Sequence, residues 1–164
     1  MSVLFSYKEA DIDDLAQVAT LFCQFVYEVK EISNDPYFNF DALSNEGTLE
    51  WMKEAVHEGR VKIYIAKQDE DIIGFISGSI VNCFLPISRV GKVGYIESAY
   101  VIKPFRGNGV MSTLENMLTE HFKYCGLAYV ELNVLSSNAK AKCFWDKANY
   151  ATFREQMRKN IKEA

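Results

Sequence analysis

An α/β arrangement, a mixed β-sheet with helices on both faces, is the fold class this chain predicts, and two observations carry the prediction. The apolar residues switch between alternation and helical spacing in the order β α α β β β α β α β along 164 residues. Late in that order, residues 93–126 read as strand, glycine loop and helix, an arrangement that places backbone N–H groups at the positive end of a helix dipole.

The elements follow in turn. Residues 3–7 alternate as a first strand, and the acids at 11–14 stand at the head of a helix. Its apolar stripe is Ile12, Leu15, Val18, Ala19, Phe22, Val26 and Val29, ending near Lys30. Residues 33–41 form a turn-rich stretch in which Tyr37, Phe38 and Phe40 anchor a loop or wall a pocket for a cationic amine. Leu49, Met52, Ala55 and Val56 mark a second helix that stops at Gly59. Residues 61–67 and 72–83 are strands joined by a polar tip at 68–71, and a connection at 85–91 leads to a strand at 93–102. Pro104 stops that strand, since proline donates no ladder hydrogen bond. After the glycines, Val110, Leu114, Met117, Leu118, Phe122 and Cys125 recur at helical spacing up to Gly126. A strand at 128–135, a short helix at 137–147 and a last strand or pair of turns at 151–161 complete the chain.

The length suits one domain, residues 1–164. A composition of 49% hydrophobic and 24% charged residues is that of an ordinary globular protein. No apolar run reaches the length of a membrane span and no secretory signal pattern opens the chain, so the expectation is a cytoplasmic protein with no membrane partner. A net charge of -4 argues against nucleic acid. Cys23, Cys83, Cys125 and Cys143 stand far apart, without a CxxC pair and with two histidines in the whole chain; buried thiols are expected, and no metal. Between Glu28 and Glu58 eight acids face Lys30 and Lys53, an asymmetry that suits a cationic partner or a solvated helix face.

In the loop Arg106-Gly107-Asn108-Gly109 the glycines let several amides converge where a phosphate fits; Arg106 adds charge, and Asn108 offers a helix cap or a further hydrogen bond. No lysine followed by Ser or Thr closes a Walker motif, and two glycines are too few for a dinucleotide fingerprint. The run to Met111 resembles the acyl-CoA pyrophosphate loop of the GNAT N-acetyltransferases, Arg or Gln, two residues, Gly, one residue, then Gly or Ala; Met111 departs from the last position. The resemblance extends over nearly the whole chain. Asn138, Ala141 and Phe144 match the family's C-terminal pattern, whereas Trp145 stands where the family carries a tyrosine often assigned to protonate the leaving thiolate.

The resemblance implies the GNAT fold with a largely antiparallel sheet, acetyl-CoA as cofactor, and acetyl transfer to an amine. It assigns Arg106, Gly107, Asn108, Gly109, Val110, Met111 and Ser112 to the pyrophosphate, Ala99, Tyr100 and Val101 to the pantetheine arm in a gap between splayed strands, and Asn138 and Trp145 to the cofactor's surroundings. An alkylamine with a pKa near ~10 needs a base before it can attack. Glu97, inside an otherwise apolar and aromatic strand, is the candidate; a carboxylate paired with a neighbouring strand or facing solvent is the plainer reading, and Glu131, with Asn133 on its face, is the alternative base. Trp145 is read as a packing residue, with water, Tyr150 or Tyr100 returning the proton to a thiolate whose pKa, near ~8.5, makes it a tolerable leaving group. The expected acceptor is a small cationic amine, of polyamine or amino-sugar type; a protein N-terminus or lysine, and a non-catalytic acyl-CoA sensor, are the alternatives, and a homodimer is one assembly the reading allows.

Overall fold

The computed structural model describes residues 4–162, which fall into two compact units divided between Asn133 and Val134. The first holds a five-stranded sheet in the order β1-β2-β3-β4-β5, formed by β1 (Ser6–Glu9), β2 (Lys62–Gln68), β3 (Asp71–Asn82), β4 (Lys92–Val101) and β5 (Val130–Leu132). The first four strands run antiparallel to their neighbours and β5 runs parallel to β4, the mixed and largely antiparallel sheet expected. The β2–β3 hairpin closes in two residues, with Gln68 paired to Asp71 and Asp69 at φ 54° supplying the left-handed step of such a turn.

Helices α1 (Leu15–Ser33) and α2 (Asn45–His57) cover one face of the sheet. Leu15, Val18, Ala19 and Leu21 of α1 and Met52 of α2 pack on Ile63, Ile65, Phe75 and Tyr100 in one apolar cluster. Helix α3 (Val110–Tyr124) covers the other face, presenting Leu118 and Phe122 to the strands. There Gly94 makes close approach possible, because a Cβ at that position would lie 2.4 Å from Cδ2 of Phe122. The buried Phe122 contributes about 1.5–3 kcal/mol through the area it removes from water.

Several expectations change in detail. The first strand begins at Ser6, and residues 1–3 lie outside the described residues. Asp14 does not cap α1 with its side chain; it accepts the N–H of Asp11 and bonds Lys8, and the resulting turn leaves Ile12 exposed. The helix then runs to Ser33, where Asn34 in the left-handed region ends it. Only Cys23 of the four cysteines is buried: Cys125 sits at the exposed end of α3 and Cys143 on an exposed face. The second unit holds α4 (Ala139–Lys147), and residues 151–161 are exposed and form no strand. Phe153, Met157 and Ile161 recur at intervals of four and would share one strand face, but all three are exposed and have no apolar surface to cover. Among the described residues no helix is long and apolar enough to cross a membrane.

Candidate active site

The glycine loop leaves β4 through a single helical turn at Lys103–Phe105 that contains Pro104. Gly107 and Gly109 then adopt φ 84° and 76°, the left-handed region that other residues enter at a cost. Gly109 is the N-cap of α3, and the first backbone bond of that helix runs from the N–H of Thr113 to the Gly109 carbonyl. The N–H groups of Val110, Met111 and Ser112 therefore stand at the head of the helix without a carbonyl four residues back. A Cβ at either glycine would meet nothing within 4 Å, so the loop is uncrowded at both positions, and free amides at such a helix head are of the kind that can hold a phosphate. Asn108 braces the loop instead of capping the helix: its side-chain amide donates to the Phe105 carbonyl at 3.1 Å.

Arg106 is tied into the fold. Its Nη1 and Nη2 donate to Oε1 and Oε2 of Glu28 at 2.8 and 2.9 Å, its Nε donates to the Val101 carbonyl at 2.7 Å, and it lies 5.3 Å from the Tyr100 ring centroid. The guanidinium holds the Glu28 carboxyl below the usual carboxylate range, while burial pushes the Tyr100 hydroxyl up. The charge expected beside the phosphate is thus paired with α1, and the arginine fastens the loop to that helix and to the end of β4.

Beyond the loop, β4 has an open side. Its parallel pairing with β5 runs through Gly94↔Val130, Tyr95↔Glu131 and Ile96↔Leu132 and goes no further. The N–H of Ile102 donates to Ile73 on the β3 side, so by alternation those of Val101 and Ala99 point away from β3, where β5 offers no partner.

Glu97 stands where that open stretch begins. Ser77 pairs with Ser98 and Gly78 with Ile96, so Glu97 is the extra residue of a β-bulge and has no partner on β3. A regular strand would send Glu97 and Ser98 to opposite faces, yet both line one cavity of about 150 Å³ on the α1/α2 face. Phe22, Trp51, Met52, Ala55, Val61 and Ile63 form its apolar wall, and Ser77 completes it. The Ser77 and Ser98 hydroxyls share a hydrogen bond of 2.5 Å. Among the described residues of the lining Glu97 is the only ionisable group, and its side chain is exposed. Glu131 is half-buried opposite Tyr95 on β5. The loop at 33–41 is not part of this lining; Phe40 there stacks on Tyr27 and carries Lys30 at 4.6 Å.

Asn138 and Trp145 belong to the second unit. Asn138 caps α4 by accepting the Ala141 N–H at 3.1 Å, and Trp145 is buried, meeting the rings of Phe144 and Tyr150 edge to face. The sequence reading missed the cavity wall, the bulge and the Glu28 partner. The signal it passed over was the run of small residues, Ser77-Gly78-Ser79 and Ser98-Ala99, inside otherwise bulky strands.

Comparison with known proteins agrees with this geometry. Residues 26–150 match the acetyltransferase (GNAT) family. Among solved structures, a predicted acetyltransferase from Clostridium acetobutylicum with acetyl-CoA is 17% identical with a TM-score of 0.73, over 96% of this chain and 97% of the other. Glucosamine-6-phosphate N-acetyltransferase from Arabidopsis thaliana is 21% identical with a TM-score of 0.70, over 97% and 99%. The aminoglycoside antibiotic 6'-N-acetyltransferase AAC(6')-IG from Acinetobacter haemolyticus is 16% identical with a TM-score of 0.74, over 97% and 99%. No curated protein sequence matches the chain. A glycine loop heading α3, a β4–β5 pairing that ends at Ile96 among the described residues and a family match over most of the length converge: the chain belongs to the acetyltransferase (GNAT) family, acetyl-CoA-dependent N-acetyltransferases.

Proposed function

We propose that the chain, a single N-acetyltransferase domain over residues 1–164 acting in the cytosol, moves the acetyl group of acetyl-CoA to a small cationic primary amine, with Glu97 as general base. The observation that carries this reading is the bulge, which sets the exposed Glu97 beside Ser98 on the lining of a mostly apolar cavity at the point where β4 loses its β5 partner. When bound, acetyl-CoA supplies an acyl group activated as a thioester. The amides at the head of α3 hold its diphosphate, and the N–H groups of Ala99 and Val101 orient its arm and donate to the oxygen on which negative charge grows. Glu97 attracts the ammonium form of the acceptor, then takes its proton directly or through one water. Arg106 acts through position, keeping loop and strand end together. Trp145 carries no ionisable group, and a thiolate of pKa near ~8.5 departs without a dedicated acid.

Release of free thiol from acetyl-CoA in the presence of primary amines tests the proposal. Glu97→Gln is expected to lower turnover by about 10²–10⁴-fold, most at low pH where less free amine is present, and to leave CoA affinity unchanged. An unaltered pH profile would place the base elsewhere, with Glu131 next in line. CoA binding without thiol release from any amine would favour the sensor reading.

A further inference from the structure

We infer that the acceptor carries its single amine on an apolar arm about the size of a benzene ring, and is neither a polyamine nor an amino sugar. The inference rests on the reading of the cavity as the acceptor site. Six of the nine lining residues are apolar and the volume is about 150 Å³; past Phe22 and Trp51, which it shares, lies a more open pocket of about 370 Å³ lined by residues 42–44, 47 and 48, so the benzene-sized limit applies to the part of the arm next to Glu97. An enclosed apolar cavity of about that volume takes up benzene, and the apolar part of this one has that scale while its Glu97 end is open to solvent. Polarity is confined to one end, where Glu97, Ser77 and Ser98 lie on adjacent strands. An ammonium paired with Glu97 therefore directs the rest of the molecule toward Phe22, Trp51, Met52, Ala55 and Ile63.

The competing acceptors meet specific obstacles. A second ammonium would enter a wall with no second carboxylate, and an unpaired charge among apolar side chains is strongly disfavoured. The eight acids between Glu28 and Glu58 do not remove the obstacle, because Glu28 is bound to Arg106 and the others are absent from the lining. A sugar ring brings several hydroxyls, whereas this cavity offers only the Ser77 and Ser98 hydroxyls, one of whose donors is spent on the bond between them. Trp51, exposed and 6.2 Å from Phe22 between ring centroids, lines both this cavity and the more open pocket beside it, and the two rings are suited to receive a flat or branched apolar group.

The test uses the whole chain with acetyl-CoA and four amines: phenethylamine, isoamylamine, spermidine and glucosamine. Thiol release is expected to give kcat/KM at least about tenfold higher for the first two than for the last two. Equal or faster reaction with spermidine or glucosamine overturns the inference while leaving the transferase reading intact. Thiol release from none of the four overturns the transferase reading, and binding then decides the inference by itself. Phenethylamine is expected to change the indole fluorescence of Trp51, lost in Trp51→Phe, under conditions where spermidine does not; the reverse order rejects the apolar arm. Trp51→Ala is expected to raise KM for phenethylamine about tenfold with an unchanged dissociation constant for CoA, and an unchanged KM counts against the inference.

Discussion

The two faces of the sheet are finished in opposite ways around β4. On the α3 face, Gly78 and Gly94 yield their side-chain space to Leu118 and Phe122, which occupy it fully. On the α1/α2 face, Ser77, Ser98 and the bulged Glu97 also present small or re-aimed side chains, and there the space remains as a cavity. Small residues in a strand thus have two uses, and the facing helix decides which. Where it inserts a ring, the positions stabilise; where it stops short at Phe22 and Trp51, they bind.

Adding carbon to the filled face breaks the contrast most severely. Gly94→Val forces Phe122 from its place and is expected to cost about 3 kcal/mol, seen as a large drop in the urea or thermal midpoint. At the glycine loop, which faces open space, the same kind of change acts on binding: Gly109→Val strains a left-handed residue and fills the region before the amides, so calorimetry should show CoA affinity falling more than about tenfold, or about 1.4 kcal/mol. The ion pair between α1 and the loop gives a smaller, pH-dependent effect. Arg106 lowers the pKa of Glu28, so the pair stabilises the fold above the ordinary carboxylate pKa, and that contribution is lost as pH falls through the lowered value. Glu28→Gln should therefore lower the unfolding free energy near neutral pH by under about 1 kcal/mol, read as a drop in the melting midpoint, and the difference from the parent should vanish in acid. Smallest is the stability change in Glu97→Gln, within about 0.5 kcal/mol, because the side chain is exposed and its bulge is held by backbone pairing.

What could be read from the sequence is what is local. The strand, Pro104, the two glycines and the apolar repeat of α3 follow one another within a few residues, and each has a short-range physical cause. Glu97 was legible as a carboxylate in an apolar strand, but its direction was not. The extra residue exists only relative to β3, and nothing in Tyr95-Ile96-Glu97-Ser98 marks it. The pairing of Arg106 with Glu28 joins residues 78 positions apart, and no local pattern encodes it. The last segment failed for another reason: its apolar residues suggested an element, yet in the structure Phe153, Met157 and Ile161 remain exposed.

The contact between Gly94 and Phe122 has an evolutionary consequence. One position lends the other its volume, so neither drifts alone: a larger residue at 94 is tolerable only alongside a slimmer one at 122. Descendants of this chain are expected to change both positions together or keep both.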